Sequence, residues 1–154
     1  MKAFILAAGK GERLRPLTLT TPKPLVKVKG KPLLQWHLEA LKAAGIKDIV
    51  INVSWLREQI TDFVKQNQFA DLNITLSDEA DEPLETGGGM KKALPLLGSE
   101  PFLVVNADVF TDIDLGGIPA LDGDDLVRLV LVNNPEHNPN GDFSIEHSRL
   151  TEKQ

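Results

Sequence analysis

The sequence predicts an α/β fold with a mostly parallel sheet covered on both faces. Three observations predict it. Short apolar runs without strict alternation, such as residues 2–8, read as strands buried on both sides. Stretches with Leu and Ile at helical spacing lie between those runs. Glycine-rich segments and an Asn-Ala-Asp string fall just past predicted strands, where open α/β sheets receive ligands.

Each element has its own local reason. Residues 2–8 end in Gly9 and form the first strand. Residues 9–24 hold Gly9, Gly11, Pro16, Pro22 and Pro24 and no apolar period, so they form a long loop of the kind that is usually functional. Pro32 opens a helix and Gly45 closes it, with Leu34, Leu38 and Leu41 on one face. Residues 48–53 are a second buried strand. Ser54 suits the N-cap of a helix running through Gln66, with Leu56, Ile60, Phe63 and Val64 inward. Residues 72–76 alternate and fit a strand nearer the sheet edge, and residues 85–89 read as a glycine-rich turn before a helix over 90–97. Residues 102–105 are a third buried strand, ending at Asn106-Ala107-Asp108, and 126–132 are a further one. Trp36 and Trp55 fall on helical segments and read as packing residues. No repeat, low-complexity tract or linker interrupts the chain, so residues 1–154 are read as one domain.

Composition narrows the chemistry. The chain has 154 residues, 42% hydrophobic and 25% charged, enough for one buried core. The absence of cysteine excludes disulfides, thiolate zinc sites and a cysteine nucleophile. Three histidines without an HExxH string offer no imidazole metal cage. No apolar run approaches the roughly 20 residues of a membrane span, and the N-terminal run is short for a secretory signal, so a cytoplasmic protein is expected. The net charge of −5 argues against a nucleic-acid partner. Residues 10–31 nevertheless carry seven basic side chains against Glu12 alone, a local +6, so the rest of the chain carries −11. A positive patch on an acidic protein suits a small, highly anionic ligand, although a basic loop facing water has the same composition.

Gly9-Lys10-Gly11-Glu12-Arg13 is glycine-rich without being either standard phosphate loop. Leu14 and Pro16 break the dinucleotide fingerprint, and no GxxxxGK[ST] string exists. By itself the turn fits an ordinary loop as well as an anion-binding one. The wider string, residues 6–18 followed by Pro22-Lys23-Pro24-Leu25, resembles the signature of the sugar-1-phosphate nucleotidyltransferases. Gly30-Lys31-Pro32-Leu33-Leu34, residues 82–89 and Asn106-Ala107-Asp108 follow in the family's order. Within the family, Glu85-Thr86-Gly87-Gly88-Gly89 and the stretch from Asn133 to Phe143 look most like the uridylyltransferases that use N-acetylmuramate 1-phosphate. The mannose-1-phosphate guanylyltransferases come next.

The resemblance implies a three-layer α/β/α, Rossmann-like (GT-A-like) fold with a mostly parallel mixed sheet, shortened at its C-terminus. It implies that UTP and a sugar 1-phosphate are the substrates and Mg²⁺ the cofactor. The attacking phosphate oxygen is already ionised, so alignment and charge neutralisation do the work. By this resemblance Arg13 and Lys23 are the catalytic cations. Ala7, Ala8, Gly9, Gly11, Glu12, Glu82, Glu85, Thr86 and Gly87 join them in binding the nucleotide. Asn106, Gly141 and Asp142 face the sugar, and Asp108 holds the metal. Lys10 and Arg15 have supporting or solvated roles. Glu85 departs from the family, where glycine is common. Asp112-Ile113-Asp114 spells a second acidic metal pattern, and Asp122, Asp124 and Asp125 read as a solvated acidic turn. The family domain continues beyond residue 154, where a second metal-binding aspartate and part of the sugar pocket are expected. Residues 150–154 read as a polar stop, and apolar surface left open there favours association between chains. A non-catalytic nucleotide-binding domain is the competing reading.

Overall fold

The computed structural model describes residues 1–147 and 149–151. They fall into two compact units, Met1–Pro119 and Ala120–Gln154. The first unit opens with β1 (Lys2–Leu6), three short 3₁₀ turns (Glu12–Leu14, Leu17–Leu19 and Lys23–Leu25) and a small hairpin of β2 (Lys27–Val28) and β3 (Lys31–Pro32). It continues through helix α1 (Leu33–Ala43), β4 (Asp48–Val53), α2 (Arg57–Val64), β5 (Asn73–Asp78), α3 (Glu85–Leu97) and β6 (Phe102–Asn106). The sheet order is β5-β4-β1-β6, and all three pairings are parallel.

Both faces of this sheet are covered, as the unbroken apolar runs require. On one face Ala3, Ile5, Ile49 and Ile51 pack with Leu34, Leu38 and Leu41 of α1 and Ile60 of α2. On the other, Phe4 and Val50 pack with Ala93 and Leu97 of α3. Leu34, Leu38 and Leu41 are fully buried, which stabilises the fold by about 1.5–3 kcal/mol per side chain. The fold is thus the expected three-layer α/β/α arrangement. The sheet holds no antiparallel member among the described residues; antiparallel pairing is confined to two small hairpins.

Several local expectations are corrected. Residues 85–89 are not a turn: α3 begins at Glu85 and its first turns contain all three glycines. Gly89 packs against Glu79 and Asn52, a tertiary contact that outweighs its poor helix propensity. Ser54 does not cap α2. Its hydroxyl donates to the Ala80 carbonyl (2.8 Å), α2 starts three residues later and ends at Val64, and Trp55 sits in the intervening turn. Residues 102–105 do form a strand, but an edge one, with Val104 39% exposed. Residues 126–132 are neither a strand nor buried, and Leu126 is 96% exposed. That segment has no ladder partner among the described residues, and without one its backbone groups turn to water.

The second unit contains a hairpin that periodicity did not reveal, β7 (Ser144–Glu146) with β8 (Arg149–Thr151). Leu150 and Thr151 therefore lie in a strand, while residues 152–154 of the expected polar stop lie outside the described residues. Asp125 is not merely solvated: it receives Arg149 at 3.0 Å. No helix among the described residues is long and apolar enough to cross a membrane.

His37 of α1 is buried, and its Nε2 lacks a hydrogen-bond partner among the described residues. Burial lowers its pKa below the ordinary 6.5, while a backbone hydrogen bond with Val109 and the charge of Asp108 act the other way. The folded state therefore disfavours a proton that the unfolded chain accepts, and stability falls with pH below the ordinary imidazole value. Denaturation between about pH 7 and about pH 5 is expected to show a loss of stability that is smaller in His37→Gln.

Candidate active site

Parallel pairing brings the carboxyl ends of β1, β4, β5 and β6 to one edge. The register sets Leu6 opposite both Asn52 and Asn106, and Val53 opposite Asp78. The chain therefore leaves the sheet at Ala7, Ser54, Glu79 and Ala107 along one line. A cleft of about 530 Å³ opens there. It is lined by Ala7, Ala8, Gly9, Lys10, Glu12, Lys23, Asn52, Glu79, Glu82, Glu85, Thr86, Asn106 and Asp108, among others.

The loop after β1 is shaped by a few specific contacts. Gly11 has φ +65°, and a Cβ there would stand 2.9 Å from Thr18 Cγ2. The buried Thr18 donates its hydroxyl to the Gly11 carbonyl (2.8 Å), and its own carbonyl accepts from Trp55 Nε1 (2.8 Å). Through this bond Trp55 ties the loop to the segment after β4. Pro22 and Pro24 are buried on either side of Lys23, so the lysine backbone is held while its side chain reaches the cleft.

Lys23 Nζ lies 2.5 Å from Asp108 Oδ2. The Asp108 side chain is 42% exposed, so this pair contributes about 1 kcal/mol or less to stability. Its interest is chemical: a cation and a carboxylate from opposite ends of the unit meet at the cleft. Asp108 stands beyond β6 without two acidic or imidazole companions, since no group of three metal-ligating side chains exists among the described residues. A single carboxylate with open sides suits Mg²⁺, which is commonly held by one or two carboxylates plus substrate phosphates. Lys10 pairs with Glu82 at 3.2 Å.

The structure brings together ten of the residues picked from sequence: Ala7, Ala8, Gly9, Glu12, Lys23, Glu82, Glu85, Thr86, Asn106 and Asp108. Gly11, Arg13 and Gly87 are not among the lining residues. The Arg13 side chain is exposed and makes no hydrogen bond or ion pair with a described residue. Gly141, at φ +66°, and Asp142, whose Oδ1 accepts from Asn138 Nδ2 at 3.0 Å, belong to the second unit. In the Asp112–Asp114 pattern, Asp114 accepts from the Gly116 N–H (3.0 Å) and caps a 3₁₀ turn. Glu85 has φ +59°, a left-handed conformation that glycine adopts without cost.

Two lining residues were missed from sequence, Asn52 and Glu79, which are 3% and 4% exposed. Asn52 Oδ1 accepts from the Ala7 N–H (2.6 Å), and its Nδ2 donates to Glu79 Oε1 (2.8 Å). Glu79 Oε2 accepts from the Leu84 N–H (2.8 Å). The Ala7 amide is therefore committed inward. A polar Asn52 within the apolar run of β4 was the available signal; Glu79, just past the alternating β5, had none. The network also accounts for Gly89 of α3, because a Cβ there would overlap Glu79 Oε1 and stand 2.9 Å from Asn52 Nδ2.

At the ends of the parallel strands, where open α/β sheets receive ligands, the cleft gathers Gly9, the cations Lys10 and Lys23 and the carboxylates Glu12, Glu79, Glu82, Glu85 and Asp108. The comparisons name the class. Residues 2–122 match the nucleotidyl transferase family, and the chain belongs to that family. It is 55% identical over 149 residues to the N-acetylmuramate alpha-1-phosphate uridylyltransferase of Neisseria meningitidis serogroup B, covering 94% of this chain and 64% of that protein. It is 46% identical over 115 residues to the mannose-1-phosphate guanyltransferase of Hypocrea jecorina, covering 73% of this chain and 31% of that protein. Among solved structures, HddC from Yersinia pseudotuberculosis complexed with GMP-PN superposes with a TM-score of 0.65 at 33% identity, over 73% of this chain and 50% of HddC. The chain thus spans less than two thirds of the length of these relatives.

The glycines of α3 make separable demands. Gly89→Ala is expected to cost about 1–3 kcal/mol in a denaturant titration, because the added methyl displaces a buried hydrogen-bonded carboxylate. Gly87 has open space where its Cβ would stand, so Gly87→Ala is expected to be neutral or to stabilise by up to about 1 kcal/mol through helix propensity.

Proposed function

We propose that this chain carries the nucleotide-binding part of a sugar-1-phosphate uridylyltransferase. The enzyme transfers UMP from UTP to N-acetylmuramate 1-phosphate, a reaction that returns cell-wall sugar to nucleotide-sugar metabolism. The observation that carries the reading is the meeting of Lys23 and Asp108 in the cleft, beside the glycine-rich loop. The 55% identity to a protein of that name supports the choice of base and sugar.

In this reading a phosphate oxygen of the sugar 1-phosphate attacks the α-phosphorus of UTP. The new P–O bond forms as the bond to the bridging α–β oxygen breaks, and pyrophosphate leaves. No proton has to be removed from the nucleophile. Arg13 closes from the loop onto the β- and γ-phosphates, where its guanidinium binds in a fork. Gly11 supports that loop, with Glu12 beside it. Lys23 moves from Asp108 to the reacting phosphates and offsets their mutual repulsion. Ala8 and Gly9 face the nucleoside along the backbone. Glu82, Glu85, Thr86 and Gly87 form the opposite wall. Asn106 approaches the sugar. Asp108, released by Lys23, would hold Mg²⁺, which would supply charge neutralisation to the triphosphate.

A second reading has direct support. Named mannose-1-phosphate guanyltransferases also match this chain, and HddC was solved in complex with GMP-PN. Pyrophosphate release should therefore be measured with UTP, GTP, CTP, ATP and dTTP against N-acetylmuramate, N-acetylglucosamine, glucose and mannose 1-phosphates. The proposal expects UTP with N-acetylmuramate 1-phosphate to give the highest kcat/KM. GTP with mannose 1-phosphate leading would install the second reading. Nucleotide binding without release in any pair would make the chain a binding domain.

Arg13→Ala is expected to lower turnover on the order of a hundredfold, with a denaturation midpoint near wild type, since an exposed loop side chain carries little of the core. Equal losses of activity and stability would remove Arg13 from its role. Asp108→Asn is expected to raise the Mg²⁺ concentration needed for half-maximal rate by about tenfold or more. An unchanged metal titration would exclude Asp108 as a ligand.

A further inference from the structure

We infer that Asn52 and Glu79 are positioning residues: together they clamp the two walls of the nucleotide cleft at a fixed spacing, through a hydrogen-bond chain whose polarity only one carboxylate and one amide can satisfy. This inference rests on the reading of the cleft as the nucleotide site. It goes beyond that reading by assigning a role to two side chains that neither the motifs nor the proposed mechanism uses.

The two ends of the chain are both donors. On one wall the Ala7 N–H, just past β1, points to Asn52 Oδ1 at 2.6 Å. On the other the Leu84 N–H, at the entry to α3, points to Glu79 Oε2 at 2.8 Å. The link between them is Asn52 Nδ2 to Glu79 Oε1 at 2.8 Å. Two backbone donors facing inward require a bridge that accepts at both ends. An amide accepts at one end and donates at the other, so it passes the polarity along. A carboxylate accepts at both ends, so it reverses the polarity. One amide in series with one carboxylate therefore completes the chain. Two amides leave a donor facing a donor whichever way they are turned, and two carboxylates put oxygen against oxygen.

Burial makes the pattern consequential. Both side chains are nearly sealed from water, and a buried donor without an acceptor carries the full desolvation cost. Three features of the fold converge on the carboxylate. β4 and β5 run parallel and in register, so their ends deliver Asn52 and Glu79 side by side. Gly89 leaves the space that Oε1 occupies. The amino end of α3, with its unpaired N–H groups, favours a negative charge there. The walls joined in this way are the Ala7-Ala8-Gly9 segment and the Glu85-Thr86 segment, and all five residues line the cleft together with Asn52 and Glu79.

The test is a swap. Glu79→Gln creates two amides in series, and Asn52→Asp creates two carboxylates. The double variant Asn52→Asp/Glu79→Gln restores the series in reverse order: the new carboxylate accepts from Ala7 and from the amide at position 79, whose oxygen accepts from Leu84. Three quantities are read on wild type, both single variants and the double. They are KM for UTP, kcat, and the hydrogen-exchange protection of the Ala7 and Leu84 amides. Each single variant is expected to raise KM about tenfold with kcat changed by less than about threefold, and to lose protection at one or both amides. The double variant is expected to regain KM within about threefold of wild type, together with protection at both amides. If a single variant fails to fold, a double variant that folds and protects both amides supports the clamp in the same way. A double variant as impaired as its singles combined would overturn the inference, as would a Glu79→Gln protein with wild-type KM and protection. Wild-type protein that turns over no nucleotide would sink the functional reading instead, while exchange at the two amides would still decide the clamp.

Discussion

The register of β1 between β4 and β6 is the constraint on which the rest depends. Parallel strands have no short connection, so each must be followed by a crossover that returns the chain to the same starting edge. The strands therefore all finish at the opposite edge, and whatever residue follows each strand is delivered there. With Leu6 level with Asn52 and Asn106, the glycine-rich loop and Asp108 emerge side by side although about a hundred residues separate them. A slip of one residue would point every alternate side chain at the wrong face and separate Asn52 from the Ala7 amide.

Around that edge the chain sets the cationic loop after β1 against an acidic wall that carries Glu79, Glu82 and Glu85. The long loop after β1 is short of regular structure yet held at chosen points: Thr18 beneath Gly11, Trp55 on Thr18, and buried prolines beside Lys23. Arg13 extends from it into solvent, while Lys23 reaches across to Asp108. The two groups, from opposite ends of the unit, meet at the mouth of the cleft. The opposing wall uses a different device, a helix in which Gly89 lets a buried carboxylate lie against the backbone. Glu85 holds a left-handed conformation at the start of that helix, at the position where the resemblance leads one to expect glycine.

Much of this was legible in the residues. Apolar runs marked β1, β4 and β6, and Leu34, Leu38 and Leu41 marked the buried face of α1, because burial on both sides or on one stripe leaves a periodic trace. The signature string from Leu6 to Leu25, with Glu82 to Gly89 and Asn106 to Asp108, picked out ten residues that the fold then gathered into one cleft. The failures share a cause. Residues 85–89 have the composition of a turn, 126–132 that of a buried strand, and Ser54 the chemistry of a helix cap. Each was decided instead by a partner distant in sequence: Glu79 against Gly89, a missing ladder neighbour for 126–132, and the Ala80 carbonyl for Ser54.

By itself the sequence determined the alternation of elements, the parallel character of the sheet, the family, and the chemical inventory of cations, glycines and carboxylates. Those properties depend on local spacing and residue type, which the chain carries wherever it goes. Tertiary structure alone decided that Lys23 touches Asp108, that Arg13 stands clear of the cleft lining, and that Asn52 and Glu79 join its two walls. Hydrogen bonds of that kind depend on direction and on distances of a few ångströms between strands far apart in the chain. No local pattern records either quantity.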